Sequence, residues 1–319
     1  MTSVPAKPDP ILRTELAGIE LASPVILAAG TAGVLDEMSE QLDLGRVGAL
    51  VTKSITAEPR AGNEAWRVWP TPTGMLNAIG LANPGIDAFV RDHAPRASGM
   101  ACPVIGSIAG FSLEDYTRVA RAFETCDGLV GFELNVSCPN VRGGVEFGSE
   151  PGLLGELVGA VRSELPSKKL FVKLPPVTTP APSSAVDLAR AAIEAGADAL
   201  CLCNTTPAMA IDVRTRKPAL GNVTGGLSGP AVHAQAVKIV YDVHRLVARE
   251  AGVPLVGIGG VTGWKDAAEL ILAGATAVEV GTVLFADPRA PIKIAKGLAR
   301  WARSQGVATV GELVGAVEV

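Results

Sequence analysis

Short apolar runs in this chain repeatedly end in side chains that could do chemistry. These endings supply two ammonium groups, several carboxamides and hydroxyls, and one thiol: Lys53, Ser54, Asn135, Cys138, Lys173, Asn204 and Thr205. An ammonium group can bind an anion, a carboxamide can pair with polar ring atoms, and a thiol can act as a nucleophile or general base. Histidine, cysteine and carboxylate ligands do not cluster, which argues against a metal site.

Cys138 has the sequence context of a reactive thiol. It lies in NVSCPN and precedes the glycine-rich VRGGVEFG, a composition that predicts a loop. The other four cysteines are typical of small buried hydrophobic residues, and Cys201 and Cys203 alternate on a strand and do not form a redox pair. A buried, inert thiol remains the alternative for Cys138.

Two glycine turns predict a phosphate site. GIGGVTG at 257–263 contains Gly259 and Gly260, and VEVGTVLF at 278–285 contains Gly281 and Thr282. Backbone N–H groups at such turns can hold an anion, although tight turns without a ligand are the alternative. Lys173 closes the apolar FVKL, so its ammonium group is expected to face the open end of the fold. A buried lysine paired with a carboxylate is the alternative there, and the same choice applies to Lys53.

About eight apolar runs alternate with helix-like stretches. The predicted strands are 24–28, 49–53, 103–108, 129–135, 170–174, 199–204, 254–258 and 277–281, and the predicted helices include 113–124, 152–164, 184–195, 232–249 and 264–272. Continuous apolar runs are typical of parallel strands covered on both faces. The pattern favours a (β/α)8 TIM barrel over a doubly wound open sheet.

Two long segments, 54–84 and 205–229, follow predicted strands. In a barrel both would extend over the carboxyl-terminal face, where active sites are built. Linkers, repeats and low-complexity runs are missing, so one barrel domain over residues 1–319 is expected. The residues alone do not distinguish a flavin redox enzyme from a lyase or isomerase acting on a phosphorylated substrate.

Composition excludes several classes of protein. The chain is 48% hydrophobic, which excludes disorder, and its net charge of −4 argues against a nucleic-acid partner. Its apolar runs are too short to span a membrane, and the amino terminus shows no secretory signal. An odd count of five cysteines without a disulfide framework predicts a reduced, cytoplasmic protein.

Eight segments resemble dihydroorotate dehydrogenase in order and spacing. They are TKS at 52–54, PRAGN at 59–63, GMLNAIGLANPG at 74–85, ELNVSCPNV at 133–141, FVKL at 171–174, GGLSGP at 225–230, GIGGV at 257–261 and VGT at 280–282. The cysteine in the NxSCPN loop resembles class 1 enzymes, since class 2 enzymes carry serine, and GMLNAIGLxNPG resembles class 1B. The resemblance implies an FMN-dependent barrel that oxidises (S)-dihydroorotate to orotate in de novo pyrimidine biosynthesis. Dihydropyrimidine dehydrogenases, which act on uracil or thymine, and a non-redox barrel with a phosphate substrate are the alternatives.

The resemblance also implies a role for each matching residue. Cys138 would be the general base that removes the C5 proton while hydride leaves C6. The implied substrate-binding residues are Lys53, Asn77, Ala78, Ile79, Gly80, Leu81, Asn135, Asn204 and Thr205. The implied FMN-binding residues are Ala29, Lys53, Ser54, Ser107, Asn135, Lys173, Cys203, Gly229, Gly259, Gly260, Gly281 and Thr282, with Lys173 at the flavin pyrimidine edge and the last four at the phosphate.

Class 1B enzymes pass electrons to NAD⁺ through a second subunit that carries FAD and a [2Fe–2S] cluster. This chain shows neither ferredoxin-type cysteine spacing nor a dinucleotide fingerprint. The resemblance therefore implies such a partner, bound to a homodimeric core in a heterotetramer. Two positions depart from the family pattern: Ala29 stands where serine is frequent, and Ser107 where asparagine is frequent. Flavin contacts are expected to differ at both.

Overall fold

Eight parallel strands form a closed barrel in the computed structural model, which describes residues 8–137, 147–177 and 183–319. In chain order they are β1 (Val25–Leu27), β2 (Ala49–Val51), β3 (Val104–Ile108), β4 (Leu129–Asn135), β5 (Lys169–Leu174), β6 (Ala199–Leu202), β7 (Leu255–Ile258) and β8 (Ala275–Val280). Each strand pairs with the next along the chain, and β8 closes the barrel against β1. The predicted barrel is confirmed, and the open-sheet alternative is wrong.

Helices cover the outside of the barrel. They are α1 (Ile86–Asp92), α2 (Ala94–Ala97), α3 (Leu113–Glu124), α4 (Pro151–Glu164), α5 (Ala185–Glu194), α6 (His233–Val243), α7 (Arg249–Ala251), α8 (Trp264–Ala273) and α9 (Ala290–Ser304). Ser112 and Ser184 cap α3 and α5 through their side chains, as their position before apolar periodic runs predicts. None of the helices in the described ranges is both long and apolar enough to cross a membrane.

The barrel interior has an apolar lower part and a polar upper part. Ile26, Val51, Ile105, Phe171 and Val256 pack together in the lower part, with two leucines of the amino-terminal hairpin Thr14–Leu16/Ile19–Leu21 against them. Toward the carboxyl ends of the strands the same inward faces carry Ser107, Glu133, Asn135, Lys173, Cys201 and Glu279. Because side chains alternate along a strand, residues two positions apart share a face. The fold thus concentrates polar groups at one end.

The two long segments meet above the carboxyl-terminal face in an antiparallel sheet. Its four strands lie in the order Thr206–Ala208, Gly225–Ser228, Gly74–Asn77 and Val68–Thr71, and a short hairpin, Ile211–Asp212 with Lys217–Pro218, extends from it. Glycine permits the close contacts: a Cβ on Gly226 would lie 1.9 Å from Oγ1 of Thr205. The predicted excursions are confirmed, and they form a sheet that the sequence analysis did not predict.

Candidate active site

Lys53 lies just past the end of β2 and carries a half-buried ammonium group. No carboxylate or other acceptor in the described ranges pairs with it, and burial alone lowers its pKa. The turn at Gly30 lies close by, since a Cβ there would be 3.3 Å from Nζ of Lys53. A desolvated cation without a counter-charge is costly. The position is therefore suited to an anionic ligand, and within the described ranges Lys53 forms no pair with a carboxylate.

Asn135, the last residue of β4, is the centre of a hydrogen-bond network. Its Oδ1 accepts from Nδ2 of Asn204 at 3.2 Å and from the backbone N–H of Ser137 at 3.3 Å. Its Nδ2 donates to Oγ of Ser54 at 3.4 Å, and that hydroxyl pairs with Oγ of Ser107 at 2.9 Å. The network thereby links two barrel strands, β3 and β4, to the residues just past the ends of two others, β2 and β6. The structure brings these four predicted side chains together.

The segment 77–81 lies in the upper sheet and the turn that follows. Asn77 donates from Nδ2 to the carbonyl of Gly226 at 3.3 Å. Gly80 and Leu81 both have positive φ, 75° and 55°, and Asn83 holds this shape by donating to the carbonyl of Leu81 at 2.7 Å. The backbone of Ala78 and Ile79 is fixed by hydrogen bonds to Asn63. The loop is thus held rigidly by internal bonds.

Lys173 is buried and paired with two carboxylates. Its Nζ lies 2.9 Å from Oε2 of Glu279 and 3.3 Å from Oε1 of Glu133. Burial opposes the charged form, but the two carboxylates outweigh it and raise the pKa of Lys173. The alternative of a buried lysine paired with a carboxylate is thus confirmed for Lys173. At 7% exposure, only a small part of Lys173 is open to a ligand.

The turn after β7 packs against the start of α6. Gly259 and Gly260 have positive φ, 137° and 67°, and a Cβ on Gly260 would lie 2.8 Å from the carbonyl oxygen of Gly229. Nδ1 of His233 lies 2.8 Å from the carbonyl oxygen of Gly259. On the neighbouring strand end, Cys203 follows β6 and donates its backbone N–H to Ile258. These predicted cofactor residues are adjacent in space.

The turn after β8 lies beside the turn after β1. Ala28 donates its backbone N–H to Val280, and Ala29 packs against the interior residues of the barrel. Gly281 and Thr282 follow β8 and begin a short 3-10 helix, Thr282–Phe285. The backbone N–H groups of Gly260 and Gly281 have no acceptor within the described part of the chain. By contrast, Asp266 already accepts from the N–H groups of Thr262 and Gly263.

Cys138 lies outside the described residues, so its position is not given by the structure. The chain leading to it is well defined: β4 ends at Asn135, whose side chain bonds the N–H of Ser137. Tyr116 of α3 donates its hydroxyl hydrogen to the carbonyl of Asn135 at 2.8 Å.

Sequence analysis missed four supporting residues: Glu133, Glu279, Asn83 and His233. Glu133 is 40 positions and Glu279 is 106 positions from Lys173 along the chain, but both meet it inside the barrel. Strand periodicity carried a signal for Glu133, because it shares the inward face of β4 with Asn135. The prediction that cysteine and carboxylate side chains do not cluster is therefore wrong, because Glu133, Cys201 and Glu279 meet inside the barrel.

Two features of the polar end could hold anionic ligands. The backbone N–H groups of Gly260 and Gly281, which have no acceptor in the described ranges, could donate to a phosphate, and Lys53 offers a positive charge that no described carboxylate neutralises. Glu133, Cys201 and Glu279 also approach each other closely enough to bind a cation, but the ammonium group of Lys173 already lies among them. The cation of that cluster is a side chain of the protein itself.

A cavity of about 500 Å³ lies at the opposite end of the barrel. Arg46, Lys296 and Arg300 line it, together with Arg303, which is paired with Asp9 at 2.7 Å. It contains none of the predicted site residues.

Comparison with known proteins agrees with this geometry. The family model described as "Dihydroorotate dehydrogenase" matches residues 11–301. Proteins named "Dihydroorotate dehydrogenase B (NAD(+)), catalytic subunit" are similar over nearly their full length. The relative from Pelobacter propionicus is 46% identical and aligns over 98% of this chain and 99% of its own. The relative from Geotalea daltonii is 45% identical over 98% and 100%, and that from Geobacter sulfurreducens 46% over 98% and 99%.

A solved structure is also similar in fold. The crystal structure of DHODH in complex with ferulenol from Eimeria tenella has a TM-score of 0.82 and covers 99% of this chain and 91% of its own. Its sequence is only 23% identical, so this likeness supports the barrel alone. The match of the family model and the close relatives establish more than the fold: the chain belongs to the dihydroorotate dehydrogenase family.

Proposed function

We propose that this chain is the catalytic subunit of a class 1B enzyme that oxidises (S)-dihydroorotate to orotate in pyrimidine biosynthesis. The observation that carries the proposal is the ammonium group of Lys53, which no residue of the described ranges pairs with, in a chain of this family whose open end also carries a carboxamide network. Orotate carries a carboxylate, and a cation in a desolvated site is the group that selects it. Uracil and thymine lack that carboxylate.

The substrate is bound by the strand ends and the upper sheet. Lys53 pairs with the carboxylate, and Asn77, Asn135, Asn204 and Thr205 pair with the amide groups of the ring. The backbone of Ala78, Ile79, Gly80 and Leu81 lines the site. Because Asn135 and Asn204 already bond each other at 3.2 Å, their free lone pairs and hydrogens have fixed directions. A ring that leaves these fixed donors and acceptors unpaired binds with lower affinity, because the buried polar groups then lose their hydrogen-bond partners.

The reaction removes one proton and one hydride from neighbouring carbons. We assign the removal of the proton from C5 to the thiolate of Cys138. Hydride leaves C6, and the C5–C6 double bond forms. A bound FMN would supply the acceptor for these two electrons. Cys138 follows Ser137 in sequence, and the backbone N–H of Ser137 donates to Oδ1 of Asn135 at 3.3 Å.

FMN is assigned to the remaining predicted residues. Gly259, Gly260, Gly281 and Thr282 would bind its phosphate, and the N–H groups of Gly260 and Gly281, which have no acceptor in the described ranges, support this. Lys53, Asn135 and Lys173 would contact the ring, and it would be surrounded by Ser54, Ser107, Ala29, Cys203 and Gly229. Ser107 is fully buried against Ser54 at 2.9 Å, so it acts on the ring through Ser54.

The names of the relatives contain the words "NAD(+)" and "catalytic subunit". We infer a partner subunit that carries FAD and a [2Fe–2S] cluster, a homodimeric core, a single domain over residues 1–319, and a cytoplasmic location. The excursions over the open end support a docking role, because they expose large apolar side chains: Trp66, Val68, Met209, Ile211, Val213 and Val223.

Ligand discrimination tests the proposed substrate. Calorimetric titration of the FMN-loaded protein with orotate and with uracil should give tight binding of orotate alone. Lys53→Met keeps the length of the side chain without its charge and should abolish the preference, whereas Lys265→Met, a change of a lysine on α8, should not. Equal affinity of the native protein for uracil and orotate would overturn the proposal in favour of a dihydropyrimidine enzyme.

A further inference from the structure

Four titratable side chains meet inside the barrel below its open end. Glu133 on β4, Lys173 on β5, Cys201 on β6 and Glu279 on β8 are each less than a tenth exposed, at 0%, 7%, 1% and 2%. Ligand atoms of the two glutamates and the cysteine lie within 4.8 Å of one another, and Nζ of Lys173 bonds both carboxylates. We call these four residues the interior cluster. Its members are too close to ionise independently.

The interior cluster contains two carboxyl groups and only one ammonium group. Cys201 is a neutral thiol, because burial and the two carboxylates raise its pKa well above the usual value. Two ionised carboxylates against one ammonium group would leave a buried net negative charge, which is costly. One proton on the pair formed by Glu133 and Glu279 removes this net negative charge. Burial, followed by repulsion from Glu133, raises the pKa of Glu279 to about 8, so Glu279 holds that proton at neutral pH.

The neighbouring strands add no further charge beside Glu279. In the barrel register β7 places Ile258 next to it and β1 places Ile26. Protonation of Glu279 therefore depends on Glu133, Cys201 and Lys173, and on any charge that approaches Lys173 from the open end. Lys173 connects Glu279 to the open end, because its ammonium group bonds Glu279 while a small part of the lysine side chain remains exposed.

We propose that Glu279 is a positioning residue for Lys173, and that its carboxylate takes up a proton when negative charge accumulates on the flavin. The inference rests on the proposed placement of Lys173 at the flavin pyrimidine edge. A bound flavin would supply the acceptor for two electrons from the reductant. Glu279 would take a proton from solvent water, which would leave as hydroxide, and Glu133 would remain the ion-pair partner of Lys173. Below about pH 8 Glu279 already holds its proton, so the coupling operates only above that pH.

The pH dependence of the flavin reduction potential tests this inference. The potential of the FMN-loaded protein is measured by electrochemical titration between pH 6 and pH 10. Native protein should take up one more proton per two electrons than Glu279→Gln in the range just above pH 8, which appears as a steeper fall of potential with pH. Glutamine retains a carbonyl that accepts from Lys173 and an amide that donates to Glu133, so the variant should fold.

Glu20→Gln is the matched control, because Glu20 is an exposed glutamate in the amino-terminal hairpin far from the interior cluster. It should reproduce the native curve. Parallel curves for native protein and Glu279→Gln would overturn the inference while leaving the proposed function intact. Failure of the native protein to bind FMN would instead overturn the proposed function, and the two failures are therefore distinguishable. A change of slope near pH 8 in the native protein alone supports the inference even if the variant does not fold.

Discussion

Replacing Glu279 by glutamine should remove a large pH dependence of stability, even in protein without flavin. In the native fold the pKa of Glu279 is raised from an ordinary 4.5 to about 8 by burial and by Glu133. The folded state therefore holds a proton that the unfolded state releases between these pH values. It follows that the free energy of unfolding falls as pH rises from about 4.5 to about 8, and is constant with respect to this group outside that range.

The magnitude follows from linkage. At about 1.4 kcal/mol for each pH unit between the two pKa values, the loss has an upper limit of about 5 kcal/mol. Glutamine has no proton to lose, so Glu279→Gln should gain up to that amount relative to native protein over the same pH range. Carboxylates outside the interior cluster contribute equally to both proteins and cancel in the difference.

Urea unfolding followed by tryptophan fluorescence, repeated at half-unit steps from pH 5 to pH 9, measures this difference. The expected result is a difference between variant and native protein that grows with pH and levels off near pH 8. A difference that stays constant within about 1 kcal/mol across the range would refute the reasoning about the interior cluster, since that is the resolution of such extrapolations.

Three further changes have defined outcomes. Lys53→Met should lower kcat/KM for dihydroorotate by roughly 100- to 1,000-fold, the loss of one charged hydrogen-bonded pair in a desolvated site, in steady-state assays with Lys265→Met as control. Gly260→Ala should weaken FMN binding at least about tenfold in fluorescence titrations, because the new Cβ would lie 2.8 Å from the carbonyl oxygen of Gly229. Gly252→Ala is the control: Gly252 has the same φ of 67° but no atom within 4 Å of a new Cβ, so this variant measures only the cost of about 1 kcal/mol of placing alanine in that backbone conformation. Asn135→Ala should reduce kcat/KM about 100-fold and lower the melting temperature, since it removes the acceptor of the Asn204 amide and the amide that donates to Ser54.

Local sequence predicted the elements that depend on local signals. α3 begins and ends where predicted, at Leu113–Glu124, because Ser112 supplies a side-chain cap and the apolar residues recur with helical spacing. β4 likewise spans Leu129–Asn135 as predicted. The predicted strands that ended at Lys53 and Asn204 were two residues too long, since the barrel ladders stop at Val51 and Leu202. Lys53 and Asn204 therefore lie past the ends of their strands, at the open end of the barrel.

Contacts between distant segments could not be predicted in this way. The upper sheet joins Gly74–Asn77 to Gly225–Ser228, and short glycine-containing strands carry little periodic signal. The pairing of Lys173 with Glu279 crosses the barrel between strands that are 106 residues apart in sequence. The apolar context of FVKL indicated burial correctly, but only the closed barrel identifies the carboxylates that make a buried ammonium group stable.

Anaerobic reduction by dihydroorotate tests the central claim most directly. The chain is purified alone, loaded with FMN, and titrated with dihydroorotate while the flavin absorbance is recorded. We predict that the flavin band bleaches with about one equivalent of dihydroorotate, and that Cys138→Ala slows the bleaching by roughly 100- to 10,000-fold, the contribution of a positioned general base. A protein that binds FMN but bleaches only with dihydrouracil or dihydrothymine, or one that cannot bind FMN at all, would contradict the account.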